Sequence, residues 1–275
     1  MKFAICQEMF VDWEWERQCD FIAEVGYTGI ELAPFTLANL ISDVPIEQRH
    51  RLKEQAEARG LQIIGLHWLL AKTEGFHLTT ANASIRQATA GYASELVRAC
   101  ADFGGDLMVW GSPFQRDIEE GMSREQACQN AAEILSAVMP ICQEKNVRIC
   151  MEPLTPKETS FLNTCAETME LIEMVNHSHL VLHQDVKAML GGESDPIPVL
   201  IDKYANHVGH FHVNDSNLLG PGMGETDYLP IFDALLRTNY TGWVSVEVFD
   251  YTPGCEKIAR DSMSYMQDIL KKCES

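Results

Sequence analysis

Four side chains able to share one cation stand at the ends of four short apolar runs. Glu152 follows RICM, Asp185 follows VLHQ, His212 closes GHFH and Glu247 closes GWVSVE. Two glutamates, one aspartate and one imidazole form a donor set suited to a single divalent cation. Mn2+ is the first choice, with Mg2+, Co2+ and Zn2+ as alternatives. Each residue alone has a plainer reading, since a glutamate at a strand end is usually solvated and a lone histidine is usually a satisfied core residue. Four at consecutive strand ends are harder to dismiss. Pro153 locks the chain just after Glu152, and a second acid, Glu158, follows in a polar loop.

These runs belong to a longer alternation. Strands are predicted over 2–6, 29–32, 62–67, 107–110, 149–151, 180–185, 209–213 and 243–248, each followed by a helical pattern. Asp12 reads as the N-cap of the first helix, which Gly26 stops, and Ser123 with Gln126 reads as a capping box. Pro140 is expected to kink its helix. Later helices are expected over 165–175, 198–207 and 256–273. Eight βα units predict an α/β fold, one closed (β/α)8 TIM barrel spanning 1–275 as a single domain. An open doubly wound sheet would carry a glycine-rich phosphate loop after its first strand, and this chain has none. In a barrel, chemistry sits at the carboxyl ends of the strands, where the four residues fall.

Strand parity puts Glu152 on one face with Cys150, Asp185 with His183, His212 with His210 and Glu247 with Ser245. His183 and His210, lower in their strands, are expected to orient the ligands. Trp110 and Phe249 read as barrel packing.

Composition narrows the function classes. The formal charge is −19, from 21 basic and 40 acidic residues, which argues against nucleic acid as a partner. Nine cysteines with no CxxC pair suit a reducing compartment, and a cytoplasmic location is expected. The N-terminus does not read as a signal peptide, and no apolar stretch is long enough to span a membrane. A small-molecule partner is the expectation that remains; homo-oligomerisation stays open.

Five segments carry a family resemblance: EPL…ETSFLNT (152–164), LHQDVKAM (182–189), GHFHVND (209–215), GPGMGETDY (220–228) and GWVSVEVFD (242–250). They resemble the sugar isomerase/epimerase family with xylose-isomerase-like barrels, which includes ketose 3-epimerases, hydroxypyruvate isomerases and inosose dehydratases. The resemblance implies that Glu152, Asp185, His212 and Glu247 bind the metal. It also implies that Glu152 and Glu247 act as an acid/base pair, one on each face of a keto sugar or related polyol, and that Glu158 contacts the substrate. Two positions depart from the ketose 3-epimerase pattern. Ala188 stands where a substrate-binding histidine is expected, and Leu218 where an arginine is expected.

Further substrate contacts are sought in Lys187, which shares the parity of Asp185, in Arg116, and in His67 and Trp68 at the end of the third strand. The metal and paired acids point to an isomerase or epimerase working through an enediolate. A keto-polyol dehydratase begins with the same proton removal and is the nearest alternative. A three-zinc endonuclease on the same barrel would need more histidines at strands two to four and a basic surface. A non-catalytic metal- and sugar-binding protein would keep the cation without needing paired acids.

Overall fold

The computed structural model describes residues 1–274. Eight parallel strands close into a barrel in chain order, the first pairing with both the second and the eighth. They are β1 (Lys2–Cys6), β2 (Gly29–Leu32), β3 (Gln62–Leu66), β4 (Leu107–Trp110), β5 (Arg148–Met151), β6 (Leu180–Asp185), β7 (Val208–Val213) and β8 (Trp243–Val246). The helices are α1 (Trp15–Val25), α2 (Ile46–Glu57), α3 (Ala83–Phe103), α4 (Arg124–Lys145), α5 (Cys165–Val175), α6 (Val186–Gly192), α7 (Ile197–Tyr204), α8 (Leu229–Arg237) and α9 (Cys255–Cys273). Each outer helix buries one stripe against the strands. On α3 that stripe is Ala93, Leu96, Val97, Cys100 and Phe103, spaced for one face of a 3.6-residue helix.

Local signals set the boundaries. Asn82 Oδ1 accepts from the amides of Ser84 and Ile85 to start α3, and Ser123 Oγ accepts from Gln126 N to start α4. Gly26 and Gly104 end their helices at positive φ. Helix α4 runs on through Pro140, which stands on its exposed side.

Three boundaries differ from the sequence reading. Asp12 caps nothing: a 3-10 turn (Gln7–Phe10) follows β1, and α1 begins only after Glu14. The helix expected over 198–207 is α7, which opens after Pro196 and ends at Tyr204, and a further helix not read from the sequence, α6, precedes it with Asp185 as its cap. Strands β3 and β8 stop at Leu66 and Val246, leaving His67 and Glu247 just past the ladder.

The lower barrel interior is a small apolar cluster of Ala4, Ile64, Leu107, Val109, Cys150 and Trp243. Above it the interior turns polar. The β2–β3 register shifts between Ile30 and Glu31, and the β6–β7 register between Leu182 and His183. Such bulges change which side chains a strand aims inward, and these two flank polar residues of the site. Gly29 is a tight point of the floor: a Cβ there would lie 2.7 Å from Trp243 Cζ3 and 2.9 Å from Ala4 Cβ. Overpacking of this kind costs roughly 1–3 kcal/mol. Gly29→Val should therefore lower the melting temperature by several degrees, at roughly 2–4 °C per kcal/mol. A thermal melt within about 1 °C of wild type would show that the floor yields freely.

Candidate metal and acid/base site

Ligand atoms of Glu152, Asp185, His212 and Glu247 all lie within 4.8 Å of one another, and all four residues are buried. They come from the ends of β5, β6, β7 and β8, so the barrel's closure gathers what the chain spreads over almost a hundred residues.

Each is held by a different device. Asp185 Oδ1 accepts from Ala188 N (2.7 Å) as the N-cap of α6, while Oδ2 accepts from Asn214 Nδ2 (2.5 Å). Glu247 Oε1 accepts from Trp68 Nε1 (2.8 Å) and lies 3.1 Å from His67 Nδ1; its Oε2 lies 3.1 Å from His212 Nδ1. Trp68 reaches Glu247 from a backbone at φ 53°, a strained conformation for a bulky residue. On the far side of His212, Nε2 meets the fully buried carboxylate of Glu31 at 3.1 Å. Glu152 differs, for no donor among the described residues reaches its carboxylate within hydrogen-bond distance; His183 Nε2 stands 3.8 Å away. Its space is cleared by Gly111, where a Cβ would fall 1.7 Å from Glu152 Oε2.

The electrostatics follow from three acids crowded together out of water. Burial, and then the charges of Glu247 and Asp185, push Glu152 well above the ordinary carboxylate range. Burial lifts Asp185 to about 6 against the pull of Lys187, with Glu247 adding to the rise. Glu247 goes the other way: burial opposes ionisation, but His212 and His67 hold it well below its usual range. Clustered oxygen donors, one imidazole and an excess of buried negative charge fit a divalent cation.

Sequence reading missed three supporting residues. Glu31 sits opposite Cys6 in the β1–β2 ladder and bonds both His210 Nε2 (2.9 Å) and His212. Asn214 bridges Asp185 and the amide of Lys187. Glu8 Oε2 stands 2.9 Å from His67 Nε2, off the line for a hydrogen bond. The signal for Glu31 was an acid sharing strand parity with Gly29; Asn214 lay within a motif already singled out.

The other candidates divide. His67, Trp68, Glu158 and Lys187 line the cavity beside Glu152 and Glu247. Lys187 Nζ donates to Glu158 Oε1 (2.6 Å) and lies 4.1 Å over the Phe249 ring. Arg116 lies elsewhere: it is fully buried and donates to the main-chain oxygen of Glu152 (2.7 Å), behind the acid and outside the cavity lining. His210 shares Glu31 with His212 and sets its ring edge-to-face against it at 4.9 Å, while His183 makes no hydrogen bond but packs on His212 at 4.3 Å. Trp110 is packed out of contact with solvent, but Phe249 is a cavity wall.

A closed parallel barrel with its buried donor set at the carboxyl ends of the strands is the build of a barrel enzyme. The xylose isomerase-like TIM barrel family matches residues 19–269, and the chain belongs to that family. A D-psicose 3-epimerase of Ruminiclostridium cellulolyticum is 24% identical over 249 residues, covering 86% of this chain and 81% of that one. A solved D-psicose 3-epimerase, crystallised in the presence of D-fructose, superposes with a TM-score of 0.85 at 20% identity, covering 98% of this chain and 99% of the other. A 3-keto-D-glucoside 4-epimerase from E. coli gives 0.83 at 18% identity, with 98% and 99% covered. These likenesses show the shared fold.

Two measurements test the site. Asp185, held at about 6 against an ordinary 3.8, contributes stability below pH 3.8 that is lost as pH rises through about 6; Glu152 has the same sign. A cation should recover that loss. The rise in melting temperature on adding Mn2+ should therefore be larger near pH ~7.5 than near pH ~5, where protons compete for the ligands. An equal or larger rise at the lower pH would remove the crowded acids as the binding site. Glu31→Gln should weaken Mn2+ binding roughly 10- to 100-fold by calorimetry, and unchanged affinity would leave Glu31 a packing residue.

Proposed function

We propose that this protein is a divalent-metal-dependent epimerase of a keto sugar or related polyol, with Glu152 and Glu247 as its acid/base pair. The observation that carries the reading is the single cluster in which two glutamates from non-neighbouring strands face one small cavity with Asp185 and His212 between them in strand order. The epimerase activities of the relatives support it.

Glu152, Asp185, His212 and Glu247 would hold the cation. When bound, it supplies electrostatic stabilisation of the charge that develops on the carbonyl and adjacent hydroxyl oxygens of the substrate. The protein's own part is proton movement. One glutamate removes the proton from the carbon beside the carbonyl, leaving an enediolate; the other returns a proton to the opposite face of that carbon. Inversion needs both. Their surroundings push the two acids in opposite directions, which is how acid and base roles are separated on like groups. His67 and Trp68 fix Glu247 in place, and the bare carboxylate of Glu152 keeps its oxygens free for transfer. The burial of both acids keeps bulk water away from the reacting carbon.

Glu152→Gln and Glu247→Gln should each lower turnover by at least ~10²-fold while Mn2+ stays bound. Each should still exchange deuterium from one epimer only, read by NMR in D2O. Near-normal turnover in either variant with metal bound would defeat the two-base mechanism. A product lacking water would instead identify a dehydratase on the same site.

A further inference from the structure

The cavity over Glu152 and Glu247 is small, ≈ 60 Å³, and a much larger one of ≈ 520 Å³ adjoins it. Glu158, Lys187 and Phe249 are walls of both. At ~15 Å³ for each water-sized atom, the inner chamber takes about four atoms of a substrate. A free hexose, with about a dozen non-hydrogen atoms, would extend roughly eight of them into the outer space. Beyond those atoms the outer space has room for a substituent on the sugar.

The outer walls describe its chemistry. Leu190, Leu218 and Phe249 give apolar surface, Thr155 and Ser216 give hydroxyls, and Lys157 stands exposed at the edge. The charge of Lys187 is already matched by Glu158, whose Oε2 also accepts from Thr155 N (3.1 Å) and Oγ1 (2.8 Å). That leaves one exposed lysine, Lys157, for an anion. Apolar faces edged by hydroxyls suit a neutral sugar ring, with C–H faces packed and hydroxyls bonded.

Leu218 is held at this wall at the expense of backbone ease. It is a leucine at φ 71°, a left-handed conformation that a branched side chain rarely adopts. Its amide donates to Asp215 O (2.9 Å), and its carbonyl accepts from Phe249 N (2.9 Å) and Asp250 N (3.1 Å). The turn thus ties the loop after β7 to the chain after β8 and sets Leu218 and Phe249 on one wall.

We propose that the preferred substrate is a keto-glycoside, with its keto ring over Glu152 and Glu247 and a second neutral ring in the chamber walled by Leu190, Leu218 and Phe249. This rests on the epimerase reading above. Binding of the second ring accounts for the apolar residue at position 218, because a ring's C–H face gains nothing from a cation there.

The test is deuterium exchange by the Mn2+-loaded protein, followed by NMR for a 3-keto disaccharide, fructose and fructose 6-phosphate. The keto-disaccharide should show kcat/KM at least ~10-fold above either ketose. Leu190→Trp and Ser216→Trp, which fill the outer chamber, should each lower that ratio at least ~5-fold. Circular dichroism and metal content identify which of the two variants is folded and loaded. Fructose or its phosphate matching the disaccharide overturns the keto-glycoside assignment alone, as does an unchanged ratio in a folded variant. No exchange from any of the three sugars overturns the epimerase reading and this proposal with it.

Discussion

Three carboxylates buried against one another are the constraint around which the upper barrel is built. Like charges removed from water repel strongly, and each must be neutralised, paired or matched by a cation. The chain meets that need in layers. His67 and Trp68 engage Glu247, Asn214 and the α6 amides engage Asp185, and Glu31 sets the far side of His212. Glu152 alone carries no protein hydrogen bond to its carboxylate. Among the three acids the bonding is therefore graded, from Glu247 and Asp185, each tied by side-chain or amide donors, to the bare carboxylate of Glu152.

The lower barrel makes that grading possible. Trp243 fills the floor because Gly29 gives way to it, and a packed floor keeps water from reaching the site from beneath. Bulges in the β2–β3 and β6–β7 ladders lie beside Glu31 and His183, where polar side chains replace apolar ones. Fold and site are thus joined at the level of register.

Much of this was legible in the chain. An acid or histidine ending an apolar run is a strong local signal, so the four clustered residues and the eight-fold alternation could be read directly. Glu31 could not be singled out that way, since every residue of its four-residue strand is buried and apolar alternation carries no information there. The Lys187–Glu158 link joins residues 29 apart and needs α6, whose start is set by Asp185 rather than by a proline. Arg116 misled for a physical reason. A lone arginine after a strand can serve a substrate or a main-chain carbonyl equally well, and only packing decides which.

Asp185 has one further implication. The same carboxylate begins helix α6 and faces the cluster of acids, and α6 carries both Lys187 and Leu190. A seven-residue helix has little cooperativity of its own and depends on its cap. Neutralising Asp185 or turning it away would loosen the amides of this turn along with the ligand set. Amide hydrogen exchange in α6 would then register the state of the acid cluster from outside it, and the wall of the larger chamber would soften or stiffen in step with the barrel's centre.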